Sequence, residues 1–600
     1  MCGIAGLMVS EGQIPDGNLL DRLAAALSHR GPDGHGRHVS GNLGMIQTRL
    51  AIIDLRTGDQ PLYWRDGTAL VANAEIYNYV ELRAADPDVN YQTGSDCESP
   101  LHLYERHGLD FAQHLRGMYA IALHDPHRRR LALVRDPFGI KPLYYAETAR
   151  GFVFASEPHA ILAAGLAAPR VQAARRTELL QLQFTTGRAT VFEGIERLLP
   201  GEMVVVSDGR IVERRRVSAL PSGGPLSMSD DDALAQLDRI LEDSVRIHQR
   251  SDVPYGMFLS GGIDSSVVLA MMARLNERPV VAFTAGFPDA SVHDERSHAR
   301  ALARSFGAEH VEIPFTAQDF WSLLPEVAAS LDDPVADYAV LPTYKLGAAA
   351  AGQVKVILSG EGGDEIFAGY GRYRSVMRPW WRGGRTLRAR GVLDGLGVLR
   401  QENASWRDGI AGAEITATMA GRTPLQVAQA TDCADWLPND LLNKLDRCLM
   451  VHGIEGRTPF LDPVVADFAF RLPDGLKVRR GMGKWILRRW LERHAPAAEP
   501  FGRKRGFTVP VGEWIAARGR ALGPLVAAQP GIAECCQPEA VRRLFETSGK
   551  RPGFAAWVLL FYALWHRRHI LGLSPVGDVF ETLGASVEQA PDRVQARRRA

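Results

Sequence analysis

The cysteine at position 2, in the opening segment MCGIAG, is a candidate nucleophile. Removal of Met1 would leave Cys2 with a thiol and a free α-amine. An α-amine has an unperturbed pKa of about 8, close enough to neutrality for it to act as a base. The alternative is that the cysteine stands there by accident. A catalytic role would require the rest of the chain to supply an oxyanion hole and a binding site for the substrate.

A second candidate for chemistry is the segment YGMFLSGGIDSS at 255–266. An apolar strand ends at Leu259, two glycines turn the chain, and IDSSVVLAMMARL continues with the pattern of a helix. The first N–H groups of that helix and its dipole would favour an anion. The segment is neither a Walker loop nor a dinucleotide fingerprint. The residues that would bind phosphate are Leu259, Ser260, Gly261, Gly262, Asp264, Ser265 and Ser266.

A similar loop, ILSGEGGDEIFAGY at 357–370, again follows an apolar run. It offers Ser359 and Gly360 to phosphate, and its carboxylates include Glu361 and Asp364. Carboxylates beside an anion-binding turn indicate Mg²⁺ between them and a nucleotide, and Asp264 and Asp364 are the candidate ligands. One such turn alone would more simply bind nothing. Two at strand ends, where α/β sheets bind ligands, favour a nucleotide.

The elements around these loops predict two domains with different architectures. Short β-branched or aromatic runs alternate with turn residues up to about 212, which is typical of stacked antiparallel sheets. A polar segment rich in Pro, Gly and Ser at 213–232 indicates a linker. Over 233–573, apolar strands alternate with helical periodicity, which predicts a parallel sheet covered on both faces. The polar, basic segment 574–600 is predicted to be a disordered tail.

Composition excludes several classes of protein. A length of 600 residues exceeds a single core, and a formal net charge of +1 gives no reason to expect nucleic acid or a membrane surface as partner. No segment has the pattern of a signal peptide or a transmembrane helix. Six cysteines without a CxxC pair exclude a disulfide framework and favour the reducing cytoplasm.

The second half resembles the ATP-pyrophosphatase domain of the asparagine synthetase family. The resemblance covers about 235–520 and rests on SGGIDSS, SGEGGDE, GIEGRTPFLD, GMGKWILR and GRKRGFTVP. It implies that ATP adenylates a carboxylate, aspartate's in this family, with release of pyrophosphate, and that ammonia then displaces AMP. By the same resemblance Glu361 would deprotonate the incoming ammonia, and Lys504 would stabilise the departing pyrophosphate. Arg447 and Arg457 are predicted to be structural ion-pair partners.

The first half resembles the class II glutamine amidotransferase domain over about 2–200. The motifs are HRGPDG, TRLAIID, NAEIYN, GSDCE, LRGMYAIALHD and RDPFGIKPLYY. The resemblance implies an N-terminal-nucleophile (Ntn) αββα sandwich in which Cys2 attacks glutamine. Arg49 would hold the glutamine carboxylate and Glu75 and Asp96 its α-amine, while Asn73 would donate to the oxyanion. With these residues present, an accidental Cys2 is disfavoured.

One position departs from the family pattern, which has Asn-Gly-Glu where this chain has Asn73-Ala74-Glu75. The N–H of Ala74 would be the second oxyanion donor. It can serve as well as a glycine N–H unless the position requires a positive φ. We expect Ala74 to be tolerated.

Together the motifs predict a glutamine-dependent asparagine synthetase with an Ntn-type αββα sandwich, a doubly wound parallel-sheet domain and helical additions. ATP is its expected substrate, Mg²⁺ its expected metal, and a homodimer the state the family implies. An alternative is the same chemistry on another carboxylate, in a secondary-metabolite or polysaccharide pathway. Two features keep this alternative open: the departure at Ala74 and the Arg/Trp-rich segment 374–430, which matches no family motif. A non-catalytic scaffold is disfavoured by Cys2, SGGIDSS and Lys504.

Overall fold

Two antiparallel sheets form the first part of the chain in the computed structural model, which describes residues 2–288, 296–378, 381, 386–502 and 509–586. The strands of this part are β1 Gly3–Met8, β2 Gly34–Ser40, β3 Leu43–Arg49, β4 Leu62–Tyr63, β5 Ala69–Ile76, β6 Gly117–Asp125, β7 Arg130–Arg135, β8 Tyr144–Thr148, β9 Gly151–Ala155, β10 Glu196–Arg197, β11 Glu202–Ser207 and β12 Arg210–Arg216. One six-stranded sheet has the order β10-β8-β9-β1-β3-β2 and the other β12-β11-β7-β6-β5-β4.

The two sheets stack face to face, with helices on the outside. The helices of this part are α1 Gly17–Ala26, α2 Tyr79–Ala85, α3 Ser99–His107, α4 Pro158–Ala163 and α5 Ala173–Leu182, with 3₁₀ turns at Ser28–Arg30, Asp96–Glu98 and Gly108–His114. Strand β6 is apolar at successive positions because both of its faces are buried. Ala120 and Ala122 contribute to the core between the sheets, whereas Ile121 and Leu123 belong to the core on the α3 side. The predicted αββα sandwich is confirmed.

A five-stranded parallel sheet forms the centre of the second part. Its strands are β13 Tyr255–Phe258, β14 Val281–Gly286, β15 Glu309–Pro314, β16 Val356–Leu358 and β17 Glu455–Arg457. They lie in the order β15-β14-β13-β16-β17, and every neighbouring pair is parallel. The order changes direction at β13, so the loops after β13 and β16 lie side by side at the switch point where such sheets bind ligands. The predicted doubly wound sheet is confirmed.

Helices connect and extend this sheet. They are α6 Asp230–His248, α7 Ile263–Leu275, α8 Arg296–Ser305, α9 Ala317–Ser330, α10 Val340–Ala350, α11 Gly363–Ile366, α12 Gly371–Val376, α13 Asp408–Ala417, α14 Pro424–Thr431, α15 Asn443–Met450, α16 Pro463–Arg471, α17 Asp474–Lys477, α18 Trp485–His494, α19 Val511–Ala517, α20 Gly519–Ala527, α21 Pro530–Cys535, α22 Pro538–Glu546, α23 Lys550–His569 and α24 Val579–Gly584. Short 3₁₀ turns lie at Ala404–Arg407, Pro459–Leu461 and Pro496–Ala498, and a π-helix spans Asp432–Leu442.

The segments predicted as linker and tail differ in detail from the sequence-based boundaries. Strand β12 continues to Arg216, into the segment predicted as linker, and α6 begins at Asp230, capped by the Ser229 side chain. Helix α24 lies inside the segment predicted as a tail. Its Val579 and Leu583 are buried, because they contribute to the same core as α9 and α20. Residues 587–600 of that tail lie outside the described residues.

Among the described helices, none combines the length and apolar character needed to cross a bilayer.

Candidate active sites

Cys2 lies directly before β1, at the end of the sandwich where β1, β3 and β5 are in contact. Its side chain is buried, and burial raises the pKa of the thiol. The Gln47 side-chain amide donates a hydrogen bond to the Cys2 sulfur (Nε2 to Sγ, 2.9 Å), and the Arg30 guanidinium donates to the Cys2 carbonyl oxygen at 3.2 Å. The thiol is therefore fixed in orientation rather than free on the surface.

Asn73 and Ala74 lie in β5, in the sheet opposite Cys2. The Asn73 side-chain oxygen accepts a hydrogen bond from the Cys2 nitrogen at 3.1 Å. The Asn73 side-chain nitrogen is buried and has no acceptor among the described residues. It is thus a donor available to an oxyanion formed beside the thiol. Ala74 has regular strand pairing with Tyr119 and is absent from the residues with positive φ, so this position does not require glycine.

The three residues predicted to hold glutamine surround this end of the sandwich. The Arg49 guanidinium contacts the carboxylate of Asp59 at 2.7 Å, so it already binds one carboxylate in this structure. Asp96 is buried and accepts a hydrogen bond from the Ile76 N–H at 2.6 Å, yet burial raises the pKa of Asp96 to about 6. Glu75 is buried too, and burial raises its pKa.

Arg457, from the edge strand β17 of the parallel sheet, reaches this first site. Its guanidinium contacts Glu75 at 2.8 Å and Glu455 at 2.6 Å. Three buried carboxylates, those of Glu75, Asp96 and Glu455, thus lie around one buried guanidinium. Carboxyl groups of this kind can accept hydrogen bonds from an ammonium group. The predicted ion-pair role of Arg457 is confirmed, and Arg447 likewise contacts Asp332 at 2.9 Å.

The loop after β13 has the predicted strand–turn–helix form. Gly261 has φ +70°, a left-handed conformation that favours glycine, and helix α7 begins at Ile263. The loop hydroxyls hold its shape, since Ser260 and Ser265 are 3.1 Å apart and Ser266 donates to the Gly262 carbonyl at 2.7 Å. Leu259 is buried at the strand end.

The loop after β16 packs against the first loop. A Cβ added at Gly360 would lie 2.9 Å from the Asp264 Cβ, so a larger residue there would separate the two loops. Ser359 is buried and its hydroxyl accepts from the Glu361 N–H at 3.1 Å. The Glu361 carboxylate lies 3.6 Å from the ammonium of Lys444 on α15.

Asp264 and Asp364 share one lysine. The Lys484 ammonium contacts both carboxylates, at 2.8 Å from Asp364. One or two carboxylates completed by phosphate oxygens are a donor set that Mg²⁺ accepts, so these residues fit the metal. Lys504, predicted to stabilise pyrophosphate, lies outside the described residues.

An apolar core joins the surroundings of the two sites. Leu50 and Ile52, which follow Arg49, and Met118 of β6 belong to the same buried cluster as Leu259 and Leu358, the residues at the ends of β13 and β16. This apolar cluster therefore extends from the residues that follow Arg49 to the two glycine-rich loops.

Four polar residues of these sites were not identified from the sequence as site residues: Gln47, Lys444, Arg457 and Lys484. Lys484 lies within GMGKWILR, one of the motifs that carry the family resemblance, but the motif alone does not indicate a role for the lysine. Lys444 lies within no motif used above. Gln47 and Arg457 are separated along the chain from their partners, Cys2 and Glu75, and only the fold brings them together.

Comparison with known proteins finds two family models that match successive parts of the chain. A glutamine amidotransferase domain model matches residues 1–216, and an asparagine synthase model matches 236–567. A Mycobacterium tuberculosis protein, provisionally named a glutamine-hydrolysing asparagine synthetase, is 33% identical over 94% of this chain and 97% of its own. Asparagine synthetase 1 of Bacillus subtilis is 30% identical over 86% of this chain and 88% of its own. Amidase chry2 of Gibberella zeae is 28% identical, over 84% and 87%.

Matches of this identity and coverage settle the family, although not the acceptor. The chain belongs to the asparagine synthase family and carries that family's glutamine amidotransferase domain.

Proposed function

We propose that the protein is a glutamine-dependent asparagine synthetase. Glutamine is hydrolysed beside Cys2, and its ammonia passes to the loops after β13 and β16, where ATP has adenylated the side chain of aspartate. The observation that carries the proposal is the buried apolar cluster that includes Leu50, Ile52 and Met118 on one side and Leu259 and Leu358 on the other. Such surroundings disfavour ammonium and keep ammonia neutral and nucleophilic.

In the first site, Arg49 binds the glutamine carboxylate, and Glu75 and Asp96 bind its α-ammonium. The Cys2 thiol attacks the amide carbon while its proton passes to the α-amine of the processed chain. The Asn73 side-chain nitrogen and the Ala74 N–H donate to the tetrahedral oxyanion. The protonated α-amine of Cys2 returns the proton to the leaving nitrogen, and ammonia departs. Water then hydrolyses the thioester to glutamate.

In the second site, the loop Ser260–Gly262 and Ser265 and Ser266 hold the pyrophosphate portion of ATP. The acceptor carboxylate attacks the α-phosphorus and pyrophosphate leaves, with Lys504 offsetting its charge. Mg²⁺ held by Asp264 and Asp364 would neutralise phosphate charge when bound. Ammonia then attacks the acyl carbon, Glu361 accepts a proton, and AMP leaves.

A second candidate is amidation of another carboxylate by the same steps. It is favoured by the match to a relative named as an amidase over most of both chains. The two candidates share both sites and differ only in the acceptor.

The test uses the full-length enzyme with glutamine, ATP and MgCl₂ and a panel of carboxylates that begins with aspartate. We expect equimolar AMP, pyrophosphate, glutamate and asparagine. A Cys2→Ala variant should lose glutamate formation and retain asparagine formation from ammonium chloride. AMP formation with another carboxylate but not with aspartate would support the second candidate, and no AMP with any carboxylate would refute both.

A further inference from the structure

Asp440 is a fully buried carboxylate, and neither of its oxygens has a hydrogen-bond donor among the described residues. It lies in the π-helix Asp432–Leu442. Burial of an unpaired carboxylate costs several kcal/mol, and π-helical turns are frequent at functional sites. Both carboxyl oxygens therefore have acceptor positions open to a ligand.

Arg388 shows the complementary feature. Two of its guanidinium nitrogens, Nε and Nη2, are buried without a hydrogen-bond acceptor among the described residues. The guanidinium lies 3.7 Å from the centroid of the Trp436 ring and 5.5 Å from that of Phe184, so two aromatic rings hold it in place. Burial lowers the pKa of Arg388 to about 10, which leaves it charged at neutral pH.

Both groups lie near Lys444, whose ammonium contacts Glu361. Trp436, Asp440 and Lys444 are spaced four residues apart across the π-helix and the start of α15, which places them near one face. Arg388 stacks on the first of these residues. The Lys444 ammonium contacts Asp337 at 3.0 Å and Glu361 at 3.6 Å.

Two groups in this set, one acidic and one basic, have open hydrogen-bond positions: both oxygens of Asp440 and two nitrogens of Arg388. A zwitterion would complete both open positions, because its ammonium would pair with Asp440 and its carboxylate would receive the two free N–H groups of Arg388.

We propose that Asp440 and Arg388 bind the α-ammonium and α-carboxylate of the acceptor, which is therefore an amino acid with a second carboxyl group. This inference rests on the proposed function, since it assigns the acceptor subsite of the same synthetase site. It also gives a role to part of the segment 374–430, which contains Arg388 and which the sequence motifs left unassigned.

The test compares three acceptors that differ by one group. Aspartate carries both groups, succinate lacks the ammonium, and β-alanine lacks the α-carboxylate. For each, kcat/KM is measured as acceptor-dependent pyrophosphate release from ATP, with ammonium chloride as nitrogen source so that the glutaminase site is not involved. The variants are Asp440→Asn and Arg388→Gln, together with the conservative Arg388→Lys. Glutaminase activity of every variant reports on correct folding.

We expect the wild type to prefer aspartate over either analogue by about 10³-fold or more, because each analogue leaves a buried charge unpaired. Asp440→Asn should reduce the aspartate-to-succinate ratio by about 10²-fold and leave the aspartate-to-β-alanine ratio nearly unchanged. Arg388→Gln should have the opposite pattern, with partial recovery in Arg388→Lys. As a matched control, Asp435→Asn on the same π-helix should leave both ratios unchanged, since Asp435 accepts from the Gly187 N–H at 2.6 Å.

Two results would overturn the assignment. One is a wild type that activates succinate as well as aspartate. The other is a pair of variants that slow all three acceptors equally while glutaminase activity persists, as a merely structural role would do. A wild type that releases no pyrophosphate with any carboxylate would instead refute the proposed function, and this subsite with it.

Discussion

At the scale of single residues, the first site depends on which buried groups are charged. Asp96 is proposed to bind the α-ammonium of glutamine, and burial raises the pKa of Asp96 to about 6. The group is therefore ionised at neutral pH but loses its charge in mild acid. Ammonium binding requires the ionised form.

We expect kcat/KM for glutamine hydrolysis to fall by about tenfold per pH unit below about pH 6. The sign follows from the raised pKa: protonation removes the charge as the pH decreases. Glutamate formation measured between pH 4.5 and 8 tests this expectation. In Asp96→Asn the additional fall below about pH 6 should disappear, at a lower plateau, whereas the loss caused by protonation of the Cys2 α-amine should remain. The same additional fall in the variant would show that another group causes it.

Ala74 stands where the family pattern has glycine. The sequence predicts that alanine is tolerated there provided that the backbone does not require a positive φ. The strand conformation of β5 at Ala74 meets that condition. Whether the Ala74 N–H acts as an oxyanion donor stays a prediction.

At the scale of elements, strand β17 connects the two halves through Arg457. The guanidinium contacts Glu75 of β5 and Glu455 of its own strand, and it also donates to the carbonyl oxygens of His248 and Arg250 at 2.9 and 2.6 Å. Removal of one partner from a buried ion pair leaves an uncompensated charge, which is much more costly than loss of an exposed pair.

We expect Arg457→Met to destabilise the protein by about 3–5 kcal/mol and to raise the KM for glutamine, because Glu75 loses its counter-ion. Urea denaturation followed by tryptophan fluorescence, together with glutamate formation, measures both effects. The matched control is Arg471→Gln, whose partly exposed pair with Asp467 at 3.0 Å should contribute less than about 1 kcal/mol. Equal unfolding midpoints for the two variants would contradict this account.

Helix α15 also connects the two parts of the chain. Asp446 contacts the Arg30 guanidinium at 2.8 Å, and Arg30 in turn donates to the Cys2 carbonyl oxygen. Lys444, on the same short helix, contacts Glu361. The position of Cys2 and that of Glu361 are thus both tied to an eight-residue helix.

At the scale of the whole molecule, the proposal depends on transfer of ammonia through the apolar cluster that contains Met118, Leu259 and Leu358. Ammonia released into solvent would be protonated at neutral pH and diluted. A buried path avoids both losses.

We expect asparagine formed from glutamine labelled with ¹⁵N in its amide to retain that label nearly completely, even with excess unlabelled ammonium chloride in solution. Mass spectrometry of the product measures the retained fraction. In Cys2→Ala, by contrast, all product nitrogen should come from the unlabelled ammonium. A wild-type product whose label merely follows the fraction of labelled ammonia in solution would rule out transfer inside the protein.

The sequence by itself determined the architecture and the local parts of both sites. Alternating apolar runs, a glycine-rich turn before a helix, and the motifs around Cys2, Asn73 and Ser260 are local patterns, and local patterns follow from backbone geometry and side-chain periodicity. The αββα sandwich, the parallel sheet and the placement of Cys2 beside Asn73 agree with them.

Only the tertiary structure decided which distant residues complete each site. Arg457 lies 382 positions from Glu75, and Lys484 lies 220 positions from Asp264, so no spacing in the sequence could indicate either pair. The same holds for Asp440 and Arg388, whose significance comes from burial without partners. Burial and charge balance are properties of the packed molecule, because they depend on every element that surrounds a group and not on its neighbours along the chain.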